Sequence, residues 1–267
     1  MTSTRVSAGR LAGRSAVITG AGRGIGSAIA RAYAAEGANV VLAARTSSEI
    51  ASIAAQINGS DGGTAVAVVC DVTDGEQVET LVAEAREALG TIDVLVNNAG
   101  TTKIGRFLDA SVDDFARVMD VNFLGVVRMT RAVAPLMVEV GRGKIINVAS
   151  TAGKYGSVLQ SPYNASKHAV VGLTRCLALE LARAGVTANA ICPGFVDTPL
   201  IENAIGPFAA AAGVEESAVL PMLLERVPLG RLLDPEEVAH LAVYLGSPES
   251  DAMTGQALTI SGGLILV

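Results

Sequence analysis

Tryptophan is absent from this 267-residue chain, and five phenylalanines and four tyrosines are its only aromatic residues. A core with so few large rings must be built from aliphatic side chains, and half of the residues are apolar. That balance suits helices packed closely on a buried parallel sheet, whose strands read as continuous apolar runs. Histidine is nearly absent too, with His168 and His240 alone. The three cysteines, Cys70, Cys176 and Cys192, form no C-x-x-C pair. Without a Cys/His cluster no zinc site is expected, and no other metal site. The cysteines sit in apolar contexts and read as core filler in a reducing compartment, so a cytoplasmic location is expected. Charge of neither sign accumulates in a block, and the net charge is −6. This argues against a nucleic-acid partner or an anionic membrane surface. No apolar run approaches the length of a membrane span. Residues 1–10 (MTSTRVSAGR) are small and polar, lack the apolar core of a signal peptide and read as a flexible tail.

What is present is a regular alternation. Apolar runs at Ala16–Thr19, Val40–Ala43, Ala65–Cys70, Ile92–Val96, Lys144–Ala149, Thr187–Ile191 and Ala257–Ile260 read as strands. Helical patterns lie between them at 24–37, 47–58, 75–89, 111–139, 162–184 and 235–245. Asp74 and Asp234–Pro235 look like helix starts, Gly90 and Gly246 like stops. Strands separated by helices of this size predict βαβ units with right-handed crossovers. The expected fold is α/β: one doubly wound parallel sheet of the Rossmann type over residues 11–267, with helices on both faces. Residues 197–230 interrupt the alternation, and 198–225 are expected to form a mobile substrate lid; a helical hairpin that only packs is the alternative.

The run SAVITGAGRGIG (15–26) passes from strand through glycines into a helix. Gly20, Gly22, Gly24 and Gly26 let the backbone turn tightly and approach a pyrophosphate, with Arg23 and Ile25 between them. The helix N-terminus then offers unpaired N–H groups to the phosphates. An NAD site needs a carboxylate at the end of the second strand to hold the adenosine 2′-hydroxyl. This strand ends Ala43–Ala44–Arg45, and Glu36 and Glu49 are assigned to the flanking helices. Arg45, with Arg23 opposite, predicts a 2′-phosphate and therefore NADP(H).

A reactive set lies further on. In SPYNASKH, Tyr163 and Lys167 are four apart and share a helix face. An ammonium beside the phenol is expected to lower the tyrosine pKa toward neutrality. Ser150 ends the run KIINVAS and is expected at the carboxyl end of a strand, facing the ligand crevice.

TGAGRGIG (19–26), NNAG (97–100), a serine thirteen residues before Y-x-x-x-K, and PG (193–194) followed by Thr198 together resemble the short-chain dehydrogenases/reductases. The resemblance runs from about residue 11 to the end. It implies a seven-stranded Rossmann sheet and a catalytic tetrad of Asn122, Ser150, Tyr163 and Lys167, with Asn122 holding a water in a proton relay. It places Asp71 and Val72 at the adenine, Asn98, Ala99 and Gly100 at the adenosine ribose, and Pro193, Gly194, Val196 and Thr198 at the nicotinamide. Tyr163 and Lys167 would also meet the cofactor. Substrate choice would fall to Thr101, Thr102, Lys103, Ala152, Leu159 and Phe195, with Lys103 either attracting a carrier-arm phosphate or simply solvated. Within the family the chain looks closest to aromatic polyketide ketoreductases and 3-oxoacyl carrier-protein reductases, although TTKIG follows NNAG where the former carry Pro-Gly-Gly. The expected activity is NADPH-dependent reduction of a 3-oxoacyl thioester or polyketide ketone to a secondary alcohol. The alternatives are an NAD(H)-dependent secondary-alcohol or 3-hydroxyacid dehydrogenase, and a non-catalytic dinucleotide sensor. The apolar end ALTISGGLILV either meets a sister subunit or folds back, and the resemblance implies a homotetramer.

Overall fold

The computed structural model describes residues 9–266. Residues 1–8 of the expected tail, and Val267, lie outside the described residues. Arg10 departs from that expectation: its backbone N–H donates to Glu36 Oε2 at 2.7 Å, and its guanidinium pairs with Glu249.

Seven strands form one parallel sheet: β1 (Ser15–Thr19), β2 (Asn39–Ala44), β3 (Ala65–Val69), β4 (Val94–Asn97), β5 (Gly143–Val148), β6 (Val186–Pro193) and β7 (Ala257–Ile260). Their order is β3-β2-β1-β4-β5-β6-β7. Chain progression across the sheet reverses between β1 and β4, and a crevice opens there at the carboxyl ends of the strands.

The apolar alternation within strands assigns each side chain to a layer. Ile18, Leu42, Val96 and Ile146 face one side. There they meet Ile29 and Tyr33 of α1 (Gly24–Ala35), Ile50 of α2 (Ser47–Asn58) and Val238 of α9 (Pro235–Gly246). Val17, Val41, Leu95 and Ile145 face the other. They pack on Leu81 of α3 (Gly75–Leu89), Met129 and Val133 of α5 (Gly125–Val140), and Ala178 of α6 (Ser161–Leu181). Tyr33 is the one large ring wholly inside the first layer, and its hydroxyl donates to the Ala242 carbonyl at 2.7 Å. The helix starts follow the capping residues. Asp74 accepts from the Glu76 and Gln77 N–H groups, and Asp234 forms a reciprocal box with Glu237.

Some expectations change. The helix expected over 111–139 is α4 (Val112–Met119), a π-helical stretch at Asp120–Leu124, then α5. Taken as one helical stretch, Val112–Val140 is long and apolar enough by composition to cross a membrane, contrary to the expectation that no such run exists. It is a core helix here, with Val126, Met129, Val133 and Met137 buried. Cys70 and Cys192 are buried as expected, but Cys176 is exposed on α6. Finally, residues 197–230 contain α7 (Pro199–Ala212) and α8 (Glu216–Leu224), bent 103° from each other.

Candidate active site

The glycine turn connects β1 to α1 as the sequence predicts. Gly20 and Gly24 hold φ of +64° and +53°, a region side chains resist. A Cβ on Gly26 would stand 2.2 Å from the Gly20 carbonyl oxygen, so only glycine lets the helix start this close to the turn. Asn98 clasps the turn from the end of β4: its Nδ2 donates to the Thr19 and Gly20 carbonyls at 3.0 and 3.1 Å. Thr19 Oγ1 accepts in return from the Asn98 and Ala99 N–H groups at 3.0 and 3.1 Å. Asn98, expected at the ribose, therefore shapes the cradle with its amide. The α1 N-terminus is left open. Arg23 at its N-cap makes no side-chain cap bond, and no acidic residue stands in the first turn. Unpaired N–H groups and the positive end of the helix dipole face the crevice, which is the chemistry a pyrophosphate needs.

β2 ends without a carboxylate and Glu49 belongs to α2, as the sequence reads, but the fold brings a carboxylate from another segment to each arginine. Arg45 Nη1 lies 3.8 Å from Asp71 Oδ2, and Arg23 Nη1 lies 3.7 Å from Glu49 Oε1. The physical reason is tertiary. Pairing of Ala44 with Val69 sets the carboxyl ends of β2 and β3 side by side, and the first turn of α2 folds back over the glycine turn. Both arginines remain largely exposed, at 76% for Arg45 and 63% for Arg23. Asp71 Oδ1 also accepts from the Thr73 N–H and hydroxyl. Val72 is buried against Gly125 and offers no exposed side chain.

Ser150, Tyr163 and Lys167 come together where β5 meets α6. Ser150 follows β5 and caps a short 3-10 turn, its Oγ accepting from the Ala152 N–H at 3.1 Å. The Lys167 Nζ donates to the Val148 carbonyl at 2.9 Å and stands 5.6 Å from the Tyr163 ring centroid. The expected lowering of the tyrosine pKa is not found. Enclosure of the phenol pushes its pKa up, against a smaller opposing effect of the Ser150 hydrogen bond. Burial pushes the lysine down to about 8. Desolvation disfavours the charged form of each group and dominates both shifts.

Asn122 lies in the π-helical stretch and is buried. Its Oδ1 accepts from the Thr101 N–H at 2.8 Å, while its Nδ2 donates to the Thr101 carbonyl and the Ser166 hydroxyl at 2.9 and 3.0 Å. Ser166 donates onward to the Tyr163 carbonyl at 2.7 Å. The π insertion thus ties the loop after β4 to the helix turn carrying Tyr163, a placement such bulges often have. A Cβ on Gly100 would stand in ordinary contact with both Asn122 Oδ1 and Lys167 Nζ, at 3.5 and 3.8 Å, so this position borders both groups.

A cavity of about 140 Å³ opens beside these groups. Ser150 and Tyr163 border it with Ile25, Pro193, Gly194, Val196 and Thr198. The loop after β6 is pinned there by backbone bonds from Gly194 to Ile260 and between Phe195 and Leu233. Of the expected substrate residues, Thr102, Ala152 and Phe195 line the cavity. Thr101, Lys103 and Leu159 do not. The Thr101 backbone is held by Asn122, Lys103 pairs with Asp114 at 3.4 Å, and Leu159, at φ +64°, gives its carbonyl to the Gly105 N–H. Lys103 is therefore ion-paired rather than simply solvated.

Most of the remaining wall falls within residues 198–225, the stretch expected over the crevice, although no pattern names its individual lining residues. It comes from Ile201, Ile205 and Phe208 of α7, Val219 and Leu223 of α8, and Ile104. Arg226 also borders the cavity, 6.0 Å from the Tyr155 ring centroid, and has no ion pair among the described residues.

Comparison with known proteins agrees with this geometry. The family model for short chain dehydrogenase matches residues 14–205. The monensin polyketide synthase putative ketoacyl reductase of Streptomyces virginiae is 48% identical over 254 residues, covering 94% of this chain and 97% of that protein. The 3-oxoacyl-[acyl-carrier-protein] reductase FabG of Thermotoga maritima is 39% identical, covering 96% of this chain and 100% of that one. The crystal structure of a tryptophan-substituted variant of actinorhodin polyketide ketoreductase with NADPH superposes with a TM-score of 0.90 at 40% identity, covering 94% of this chain and 97% of that one. Glycine turn, serine–tyrosine–lysine cluster and sheet order thus carry one assignment: the chain belongs to the short-chain dehydrogenase family of oxidoreductases.

Proposed function

We propose that this protein is an NADPH-dependent ketoreductase that converts the ketone of a 3-oxoacyl thioester or polyketide to a secondary alcohol. One observation carries the reading: Ser150 and Tyr163 border one largely apolar cavity that also reaches the loop after β6. The names of the relatives support the substrate class.

The glycine cradle and the open α1 N-terminus fit a dinucleotide pyrophosphate. Gly20, Gly22, Gly24 and Gly26 would hold it, with Arg23 and Arg45 at the adenosine 2′-phosphate, Lys167 and Tyr163 at the nicotinamide ribose, and Val196 and Thr198 at the carboxamide. When bound, NADPH supplies the hydride.

The remaining chemistry belongs to the chain. Ser150 donates a hydrogen bond to the ketone oxygen and orients it. Tyr163 gives that oxygen its proton, and a phenol whose pKa is raised enters the reaction carrying the proton it must deliver. Lys167 supplies positive charge as the phenolate forms. Asn122 and Lys167 both border Gly100, where a water returns a proton to the lysine and so to Tyr163.

Residues 198–225 act as the lid, with the α7–α8 hairpin closing the apolar side of the cavity. The protein works in the cytoplasm as a homotetramer. Leu179 and Leu266, 84% and 91% exposed in the single chain, provide apolar surface for sister subunits. A monomer mass by light scattering at micromolar concentration would sink the tetramer.

Tyr163→Phe tests the mechanism. It should retain the fold and NADPH binding and lose turnover of acetoacetyl thioester by about 10²–10⁴. Turnover near wild type would exclude Tyr163 as the proton donor.

A further inference from the structure

Glu49 occupies an unexpected place. It stands in the first turn of α2, and its side chain lies on the glycine turn rather than pointing away from it. A Cβ on Gly22 would meet Glu49 Oε2 at 2.7 Å and its Cβ at 2.9 Å, so only glycine at that position admits the glutamate. From there the carboxylate reaches Arg23 at 3.7 Å. Arg45, from the adjacent strand end, is turned toward Asp71 at 3.8 Å.

We propose that Glu49 is a specificity-determining residue of the adenosine 2′ site, a carboxylate that opposes a 2′-phosphate and tolerates a 2′-hydroxyl. The proposal rests on the reading that this end of the cofactor lies between Arg23 and Arg45. A phosphate arriving there brings like charge toward Glu49 and must draw Arg23 away from it. Both ion pairs are long and solvent-exposed, and such pairs are weak. A doubly charged phosphate that gains two guanidinium partners therefore prevails, with its affinity reduced by the neighbouring carboxylate. A ribose carrying a free hydroxyl suffers no repulsion and finds an acceptor in Glu49. Glu49 thus narrows the gap between the two cofactors that the arginines alone would open.

The experiment measures Kd for NADPH and for NADH by quenching or calorimetry on the full chain. It compares wild type, Glu49→Gln and Glu49→Ala, each first checked for native circular dichroism. Both variants should bind NADPH about twofold to fivefold more tightly, the size expected for an exposed charge pair. NADH affinity should stay the same or fall, and the NADPH gain should shrink as salt is raised from about 0.05 to about 0.5 M. NADPH binding unchanged or weaker in both variants overturns the proposal. Wild-type preference for NADH would overturn the cofactor assignment instead, and Glu49 would still be judged by the change in the affinity ratio. Binding of neither nucleotide by wild type would remove both readings.

Discussion

Lys167 extends its ammonium to the Val148 carbonyl, 2.9 Å away, while standing 5.6 Å from the centre of the Tyr163 ring. One buried cation thus joins the end of β5 to the face of α6 that bears the reactive phenol. With burial holding its pKa near 8, the folded chain binds this proton less tightly than the unfolded chain does.

A pH dependence of stability follows. Between about pH 8 and pH 10.5 the unfolded lysine remains protonated while the folded one has released its proton. Stability rises with pH wherever the unfolded state binds more protons, so wild type should gain on Lys167→Met across that window. The gain should reach up to about 3 kcal/mol at one pKa unit per 1.36 kcal/mol. Tyr163 acts in the opposite sense only above pH 10, and it is common to both proteins. Thermal melts of the two proteins at pH 7, 8, 9 and 10 provide the check. A stability difference that stays flat would contradict a buried, depressed lysine.

Arg45→Asp should weaken NADPH binding by about tenfold to a hundredfold, because it removes a guanidinium and places a second carboxylate beside Asp71. NADH should be affected less, or bind better. Measuring kcat/KM with both cofactors decides the matter, and an unchanged preference would show that Arg45 does not meet the phosphate.

The α7–α8 hairpin should exchange its amide hydrogens well before the strands do. Among the described residues it buries little, Ala209 in α7 and Val219 in α8, whereas β5 is buried along its whole length. NADPH with a substrate analogue should slow that exchange. Protection equal to β5, and unaltered by ligand, would mark the hairpin as fixed packing rather than a lid.

Much of this was written in local pattern. Apolar runs of four to eight residues, β-branched residues and helix caps such as Asp74 and Asp234 are short-range signals, and they located every strand and the main helices. The glycine turn and the spacing of Ser150, Tyr163 and Lys167 were legible for the same reason: each depends on neighbours along the chain or on the end of an apolar run. The π insertion at Asp120–Leu124 escaped, since one extra residue within a continuous helical pattern leaves the apolar periodicity almost intact.

By itself, then, the sequence determined the doubly wound sheet, the glycine turn between β1 and α1 and the candidate reactive side chains, because local geometry, hydrophobic period and motif spacing dictate these. Only the tertiary structure decided what stands around them. It set Glu49 and Asp71 against the two arginines, turned the Asn98 amide onto the glycine turn, and withdrew Lys103 and Leu159 from the cavity. It also reversed the expected direction of the Tyr163 pKa. Each of these depends on which distant segments share a boundary and how much water they exclude, and neither quantity is encoded at any single position of the chain.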